Sequence, residues 1–454
     1  MNDKFILEKL VNYYIALDLA NTPDDVLHKA KMSFLDYLFV YIVGYNKGML
    51  TQPILDYVKI RTKNSEVSIL LSGIKTDLEF AILSSGLIAH SVELDDGHRF
   101  GTAHPAVVVI PTALAFGEKL NSSFGEILKA IIVGYDIMLR LSRSINPSHL
   151  RRGFHSTSTT GTIGSAATAS VLMGFNNEQM QAAIAISGLF SSGLQEMLHS
   201  NPSSKALQVG RSAQSGATAA LLAELGAKGP ISLFEGQHGW IKAMSDSYNE
   251  NDLLGEFGSR WEILNTYTKL YPTCRHCHHA IDLAIEAYHK GFNLENIAEC
   301  RLITYSLGIA EVGMIRQPEN TEEAMFSICY AVALALYKGN VTYEMLEENI
   351  TNPAILNFVL KIIVESDSEM DRKYPVERAC IIELTEIEGG KQTLSTHLPK
   401  GEPDTALSNQ EYLEKFYSIT ERYIPKSNVW ELYELVMKSD LSNSIIKNIL
   451  SLIK

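Results

Sequence analysis

The chain has 454 residues, of which 46% are hydrophobic and 20% charged, and this balance is typical of a folded globular protein rather than a disordered one. Its formal net charge of −13 disfavours nonspecific binding to nucleic acid or to an anionic membrane, although a local cationic cleft can still bind a small anion. It has only five cysteines, no apolar run as long as a membrane span and no signal-peptide layout in its first residues, so we expect a soluble cytoplasmic protein without disulfides.

Helical period dominates the first part of the chain, to about residue 266. A helix is expected to begin at Pro23, with Thr22 as its N-cap, and to continue to about Val43. Small residues dominate the segments Gly161–Gly174 and Ser212–Leu225. This composition predicts helices whose axes approach each other closely.

The pattern changes near residue 267, where strands join the helices. A strand is predicted at Glu299–Tyr305, and two further strands at Arg378–Leu384 and Thr393–His397 flank a Gly-Gly turn. The segments with helical period are 279–289, 321–337, 355–364 and 404–454.

These patterns predict a mainly α fold with an α+β second domain. The large all-helical domain is expected at residues 1–266, completed by residues 404–454 after a linker, and the smaller α+β domain at residues 267–403. A cleft between a helical body and an inserted lid is a common place for a substrate, so we expect the site there.

Three histidines and three carboxylates fall between His90 and His104. The carboxylates are suited to hold His98 or His104 in one tautomer and to raise its basicity, as a general base requires. The same residue types could ligate a divalent metal, and a solvated turn between helices is the structural alternative. The candidates from this cluster are Glu93, Asp96, His98 and His104.

Two further clusters contain a single basic candidate each. His155 precedes a hydroxyl-rich segment, 156–161, which opens a helix of small residues. The N–H groups of a helix N-terminus favour a carboxylate, while hydroxyl capping is the structural alternative. Lys205 follows a loop of Ser, Asn and Pro, and it is either a carboxylate anchor or acid–base group, or a solvated lysine.

The densest polar cluster is Lys269–His279. Its spacing Cys274-x-x-Cys277-His278 matches c-type haem attachment, which we reject because that chemistry belongs to exported proteins. Zinc ligation by the same three residues is a further alternative, although the chain has no second CxxC pair.

The remaining interpretation of this cluster is a cationic patch that faces an anionic ligand. Lys269 and Arg275 supply the positive charge, with His276 and its neighbours beside them. Tyr330 opens an apolar helix further along the chain, where it is either a core residue or a proton donor with a lowered pKa.

Five segments of the chain carry a recognisable pattern: His90–His98 with Thr102–Pro105, Gly153–Ala167, Ser203–Gly216, Lys269–Asp282 and Met325–Leu336. In this order they resemble the MmgE/PrpD family, and the likeness covers nearly the whole chain. The family includes 2-methylcitrate dehydratase, cis-aconitate decarboxylase and iminodisuccinate epimerase. The resemblance implies a large all-helical domain with a smaller α+β lid domain, a homodimer, and catalysis without a metal or organic cofactor.

The chain departs from the family pattern at three places. The decarboxylase and dehydratase arms have Asp where this chain has Glu93, and Thr-Trp where it has Gly97–His98. The decarboxylase arm has a catalytic histidine at the position of Cys274, and His276 or His278 is expected to take its place. These departures concern the specific reaction rather than the substrate class.

The family reactions share one step, the movement of a proton on a carbon next to a carboxylate. We therefore expect an enzyme that acts on a small di- or tricarboxylate, in first place a lyase of the dehydratase or decarboxylase type. The alternatives are an epimerase of an amino- or imino-dicarboxylate and a non-catalytic polycarboxylate-binding protein. The expected catalytic residues are His104, His155, Lys205 and Tyr330, and the expected substrate-binding residues are Glu93, Asp96, His98, Lys269, Cys274, Arg275, His276 and His278.

Overall fold

The computed structural model describes residues 5–197, 203–292 and 294–453, and the chain divides into two compact units. His199 and the other residues at 198–202, in the loop predicted before Lys205, lie outside the described residues. The first unit comprises residues 1–91, 95–266 and 416–454, and the second comprises residues 92–94 and 267–415. The expected fold class is confirmed, because the first unit is helical and the second combines helices with a small sheet.

Residues 404–415, which were expected in the helical domain, belong to the second unit. The hydroxyl of Tyr412 lies 2.7 Å from that of Thr268, and Lys400 forms an ion pair with Glu411. These contacts hold the segment against residues of the second unit. The return to helical period therefore does not mark the change of unit.

Helices build the first unit because its apolar residues recur with helical period and its small residues allow close approach. Short strands in its described part are β1 (Val67–Ser68), which is antiparallel to β2 (Lys75–Thr76), and β3 (Gly97–His98). The described helices up to residue 266 are α1 (Ile6–Ile15), α2 (Asp24–Lys47), α3 (Thr51–Arg61), α4 (Leu78–His90), α5 (Ala106–Leu120), α6 (Phe124–Ile145), α7 (Ser148–Arg151), α8 (Ser156–Leu172), α9 (Asn177–Phe190), α10 (Ser204–Glu224), α11 (Trp240–Met244) and α12 (Glu250–Leu254).

The start of α2 differs from the sequence prediction by one residue. Pro23, not Thr22, occupies the N-cap position of α2. The Thr22 hydroxyl instead donates to the carbonyl of Asp18, because it ends a preceding 3-10 turn. The helix continues to Lys47, beyond the expected end, and most of its length is buried.

The predicted close approach of helices through small residues is confirmed for α8 and α10. A Cβ placed on Gly216 would lie 2.3 Å from the carbonyl oxygen of Thr162 on α8. A Cβ on Gly210 would lie 2.4 Å from the carbonyl oxygen of Leu83 on α4. The absence of a side chain at these two positions is what allows α10 to contact both neighbours.

The second unit contains a four-stranded sheet with the strand order β6-β5-β7-β8. Strand β5 is parallel to β6 and antiparallel to β7, and β7 is antiparallel to β8. The elements are β4 (Thr266–Tyr267, at the division between the units), α13 (Arg275–His289), β5 (Ile297–Thr304), α14 (Ser306–Val312), α15 (Thr321–Met325), α16 (Ile328–Lys338), α17 (Tyr343–Glu348), α18 (Pro353–Val359), β6 (Ile362–Ser366), α19 (Ser368–Lys373), β7 (Cys380–Glu386) and β8 (Lys391–Thr396). Helix α20 (Asn409–Thr420) contains residues of both units, and the first unit ends with α21 (Lys426–Lys438) and α22 (Ile446–Leu452).

The strand predictions for β5, β7 and β8 are confirmed, and two helix predictions need correction. The segment 355–364 is helical only to Val359, and its end forms β6 because it pairs with β5. The segment 321–337 is interrupted at Ser327, whose hydroxyl accepts from the backbone N–H of Tyr330 and starts a new helix. A partner strand distant in sequence leaves no mark in local periodicity.

None of the described helices is long and apolar enough to cross a membrane. The five cysteines, which all lie in the described part of the chain, form no disulfide, and Cys274 is the one that is partly accessible.

We predict that Gly216→Ala destabilises the first unit. In an uncrowded helix this change would stabilise the fold by about 1 kcal/mol, since alanine is the better helix former. Here the added methyl collides with backbone atoms of α8, and overpacking of this kind costs about 1–3 kcal/mol. The sign of the change in unfolding free energy, measured by denaturant titration, checks the prediction. A more stable variant would contradict the close contact.

Candidate active site

The carboxylate of Asp95 lies between two imidazole rings in the first unit. Its Oδ2 is 3.0 Å from Nδ1 of His90, at the end of α4, and 3.2 Å from Nδ1 of His104, just before α5. The side chains of Asp95 and His90 are fully buried, whereas 13% of the His104 side chain is exposed. Burial alone would raise the pKa of Asp95, but the two histidines hold this pKa well below its usual range. Asp95 is therefore an ionised carboxylate that orients two rings.

The hydrogen bonds of His104 define which of its nitrogens is basic. Nδ1 lies 2.7 Å from the carbonyl oxygen of Asp96, as well as near the Asp95 carboxylate. Both of these oxygens only accept, so Nδ1 carries the proton and Nε2 is the basic nitrogen of the neutral ring. A carboxylate behind Nδ1 also stabilises the imidazolium that forms when Nε2 takes a proton. This arrangement is that of an oriented general base.

His155 is the N-cap residue of α8, at the hydroxyl-rich helix start that the sequence indicated. Its backbone N–H donates to the carbonyl of Gly193 at 3.1 Å, and its ring Nδ1 lies 3.0 Å from Oγ of Ser158. Thr157, in the same helical turn, accepts a hydrogen bond from the backbone N–H of His104 at 3.1 Å. The loop that contains His104 is thus bonded directly to the helix that begins at His155.

Lys205 lies in the first turn of α10, where 7% of the residue is exposed. Three residues later, the side-chain amide of Gln208 bonds to both backbone groups of Leu194. Gly193 adopts a φ of +146°, and a Cβ there would collide with α8 at 2.5 Å. This short segment therefore links the start of α10 to the start of α8, and Lys205 and His155 belong to the same part of the unit.

Two other predicted site residues in this loop have their side-chain atoms engaged by the protein. His98 lies 3.0 Å from Glu262 through Nε2 and accepts from the backbone N–H of Gly101 through Nδ1. Asp96 accepts from the backbone N–H of Ala106 and from the hydroxyl of Tyr135. Burial raises the pKa of Asp96 to about 7. His98 and Asp96 were expected to contact a ligand. In the structure they form hydrogen bonds within the protein instead, and these bonds hold the loop that contains them.

Glu262 is the centre of a buried ion cluster in the first unit. Besides His98, it lies 3.5 Å from Nη1 of Arg143 and 2.9 Å from Nε of Arg260. Burial alone would raise its pKa, but the His98 hydrogen bond and the two arginine charges lower this pKa to about 2.

In the second unit, Lys269 and Glu93 form a buried ion pair. Lys269 Nζ donates to Oε2 of Glu93 at 2.9 Å and to its backbone carbonyl at 3.0 Å. Glu93 has a φ of +49°, a left-handed conformation that costs energy for a residue with a side chain. The pairing of two predicted binding residues accounts for the inclusion of residues 92–94 in this unit.

Arg275 was expected to bind a substrate carboxylate, and the structure instead pairs it within the second unit. Its Nε and Nη2 donate to Oε1 of Glu402 at 3.2 and 3.1 Å. Its Nη1 lies 3.1 Å from Nδ1 of His278, and Nη2 also donates to the carbonyl of Lys400. Arg275 is paired in this way because a buried guanidinium needs a carboxylate and acceptors for its N–H groups.

The two histidines considered as replacements at the Cys274 position have different surroundings. His278 is fully buried, with Arg275 at Nδ1, so it serves as an acceptor for that arginine. His276 has Nδ1 at 2.5 Å from the hydroxyl of Tyr305 and Nε2 at 3.3 Å from the carboxylate of Glu311. Because a carboxylate only accepts, Nε2 of His276 carries the proton and Nδ1 accepts from the tyrosine.

Tyr330 was expected to donate a proton, and the structure places it in the core. It is fully buried on α16, and its hydroxyl donates to the carbonyl of Leu346 at 3.1 Å. Burial raises its pKa above the usual value, whereas a proton donor needs a lowered one.

Within residues 5–197, 203–292 and 294–453, no group of three or more His, Cys, Asp or Glu side chains is arranged to hold a metal ion. In particular, Cys274, Cys277 and His278 do not form such a group, and Cys277 is fully buried.

The comparisons with known proteins agree on one family. The MmgE/PrpD N-terminal domain model matches residues 8–251, and the MmgE/PrpD C-terminal domain model matches residues 271–440. The chain belongs to the MmgE/PrpD family. It is 23% identical to the cis-aconitate decarboxylase of Aspergillus terreus, over 92% of this chain and 90% of that protein. It is 24% identical to the human cis-aconitate decarboxylase and 23% identical to the mouse one, over 95% and 96% of this chain and 91% of each relative.

Within this MmgE/PrpD chain, the sequence indicated His104, His155 and Lys205, and the structure joins their elements in one unit. The sequence did not distinguish Asp95 from its two neighbouring carboxylates, and it did not indicate Tyr305. A signal for Tyr305 was present, because it ends a predicted strand. In the structure its hydroxyl lies 2.5 Å from Nδ1 of His276. Which carboxylate faces His104 depends on the left-handed turn at Glu93, and that conformation has no signature in the residue type.

We predict that Glu262→Gln destabilises this MmgE/PrpD protein most at neutral pH. The folded-state pKa of Glu262 is lowered from 4.5 to about 2, so its contribution is complete above pH 4.5 and is lost as the pH falls toward 2. At roughly 1.4 kcal/mol per pKa unit, this contribution is about 3 kcal/mol. The difference in thermal midpoint between the wild type and the variant should therefore narrow from pH 7 to pH 3.

The control for this experiment is Glu224→Gln, which changes an exposed carboxylate at the end of α10 and should alter the midpoint little at any pH. A Glu262→Gln difference that is the same at pH 7 and pH 3 would contradict the ionised cluster.

Proposed function

We propose that this protein is a lyase that moves a proton on a carbon next to a carboxylate of a small di- or tricarboxylate. The observation that supports this most is the Asp95–His104 pair, which orients a basic imidazole nitrogen on a partly exposed side chain. The cis-aconitate decarboxylases that match nearly the whole chain act in the same class of chemistry, and they support a decarboxylase or dehydratase.

His104 is proposed as the group that exchanges the proton. A carbon next to a carboxylate is a weak acid, so the negative charge that develops needs cations and N–H donors in fixed positions. Lys205 supplies a positive charge, and the first turn of α8 at His155 supplies backbone N–H groups and the positive end of a helix dipole. Both features favour a substrate carboxylate close to the proposed base.

The later step determines the product. In a dehydratase, the electron pair of the broken C–H bond forms a C=C bond while hydroxide leaves from the neighbouring carbon and is protonated to water. In a decarboxylase, the C–C bond to a carboxylate breaks, carbon dioxide leaves, and an acid delivers a proton to the carbon skeleton. The dehydratase needs a base that takes the proton from carbon, and the decarboxylase needs an acid that delivers one, and an imidazole near neutral pH can serve as either.

The test is incubation of the purified protein in D₂O with methylcitrate, cis-aconitate and amino- and imino-dicarboxylates, followed by NMR. A lyase should release water or carbon dioxide from at least one of them. His104→Gln and Lys205→Met should each lower kcat/KM on that substrate at least about 10²-fold, because each removes a group that acts on the developing charge. His238→Gln, which changes an exposed histidine of the same unit, is the control and should leave turnover unchanged.

The same experiment separates the alternatives. Inversion with deuterium incorporation, without loss of water or carbon dioxide, would replace the lyase by an epimerase. Saturable binding of a polycarboxylate without any deuterium exchange would point to a binding protein.

We also propose that His276, not His278, replaces the histidine of the decarboxylase arm at the Cys274 position. His276 lies in a chain of hydrogen bonds with the Tyr305 hydroxyl on one side and the Glu311 carboxylate on the other, an arrangement that can pass a proton, whereas His278 is an acceptor for Arg275. His276→Gln should lower kcat about 10²-fold and change the pH–rate profile. His278→Gln should act mainly on thermal stability, and an equal loss of kcat in the two variants would contradict the assignment.

A further inference from the structure

Arg378 lies just before β7 in the second unit and is 3% exposed. Its backbone N–H donates to the carbonyl of His397, which fixes its place at the start of the β7–β8 hairpin. The centre of its guanidinium is 5.5 Å from the ring centre of Tyr267 and 6.0 Å from that of Tyr374. The guanidinium is thus held beside two aromatic rings in the interior of the unit.

The guanidinium interacts with the Tyr374 hydroxyl, yet two of its nitrogens, Nε and Nη1, are buried and make no hydrogen bond of normal geometry in the described part of the chain. A cation beside a ring gains some electrostatic stabilisation, but the N–H groups in the guanidinium plane still need acceptors. A buried donor without a partner is costly, and a buried charge more so. An oxygen atom from outside the chain would satisfy these donors.

The charges around Arg378 leave it without a carboxylate of its own. Lys269 pairs with Glu93 at 2.9 Å, and Arg275 pairs with Glu402 at 3.1 Å. Arg378 has no carboxylate within 4.0 Å among the described residues. The carboxylate whose charge acts on Arg378, Glu402, is already hydrogen-bonded to Arg275.

The neighbouring histidines, His276 and His279, neither neutralise the positive charge of Arg378 nor add to it. Burial lowers the pKa of His276 well below its usual range, with a further contribution from the charge of Arg378. Burial and the same arginine lower the pKa of His279 to about 3. Both rings are neutral at pH 7. The carboxylate near His276 is Glu311, which lies 3.3 Å from its Nε2.

We propose that Arg378 forms the core of an anion subsite in the second unit, and that this subsite binds a carboxylate of a small polycarboxylate. Arginine suits this ligand because its planar N–H donors match carboxylate oxygens and its charge persists when buried. The Tyr305 hydroxyl, bonded to His276, belongs to the same cluster. The inference rests on the proposed function for the identity of the anion, while its place follows from the two buried N–H donors of Arg378 that have no acceptor.

The test is thermal unfolding of the full-length protein with increasing tricarballylate, an unreactive tricarboxylate, for the wild type and Arg378→Met. Without ligand, the variant should unfold at the same temperature as the wild type or higher, because it removes a buried charge that lacks a partner. Its apparent Kd for tricarballylate, from the shift in midpoint, should be at least about 10-fold weaker. Arg301→Met, which changes a half-exposed arginine of the same unit, is the control and should not alter binding.

Equal affinity in the wild type and Arg378→Met would overturn the proposal, as would a large loss of unliganded stability with unchanged binding. If Arg378→Met does not fold, Arg378→Lys, which keeps the charge but loses the planar donors, should still weaken tricarballylate binding at least about 3-fold. Inorganic phosphate that binds as tightly as tricarballylate through Arg378 would overturn the assignment to carboxylates. A protein that turns over no carboxylate, yet shows Arg378-dependent binding, would refute the proposed function alone.

Discussion

The buried carboxylate of Asp95 is the constraint on which the site of the first unit depends. An ionised group in the interior must have partners, and here the partners are two imidazole N–H groups. One belongs to His90 at the end of α4 and the other to His104 at the start of α5, so the carboxylate fixes the loop between these helices. Because Nδ1 of His104 is committed to this bond, the ring can take a proton only at Nε2. The fold thus decides which nitrogen of His104 is basic.

The same rule, that a buried charge needs a partner, sorts the basic residues of the second unit. Lys269 and Arg275 both looked like ligands for an anion in the sequence, yet each has a carboxylate of the chain beside it. Such pairs add little net stability, since desolvation offsets most of the attraction, but they remove the charge from further binding. Arg378 is the exception, because two of its buried N–H donors have no acceptor in the described part of the chain. This arrangement costs free energy unless a ligand supplies the acceptor. Function is therefore more visible in what remains unpaired than in the density of charges along the chain.

The sequence predicted most of the architecture and about half of the candidate site. The helical period of the first unit, strand β5 and the β7–β8 hairpin follow from local patterns, and the structure has them. β6 and the pairing of Arg275 with Glu402 do not, because each depends on a partner far along the chain. The position of Arg378 near Tyr305, however, could have been predicted from the sequence. Two predicted strands that pair in antiparallel fashion place the end of one beside the start of the other, and this brings Tyr305 and Arg378 to the same edge of the sheet.

The different surroundings of His276 and His278 show why a dense cluster of polar residues in the sequence does not by itself identify the reactive side chain. The two residues are separated by one position in the first turn of α13, so helical geometry turns their side chains about 200° apart. One ring meets the tyrosine that follows β5, and the other meets the arginine of its own turn. A histidine bonded to a tyrosine and a carboxylate can relay a proton, while a histidine that accepts from a guanidinium would lose that bond on protonation. We therefore expect the first of these positions, and not the second, to supply the proton transfer proposed for the Cys274 position.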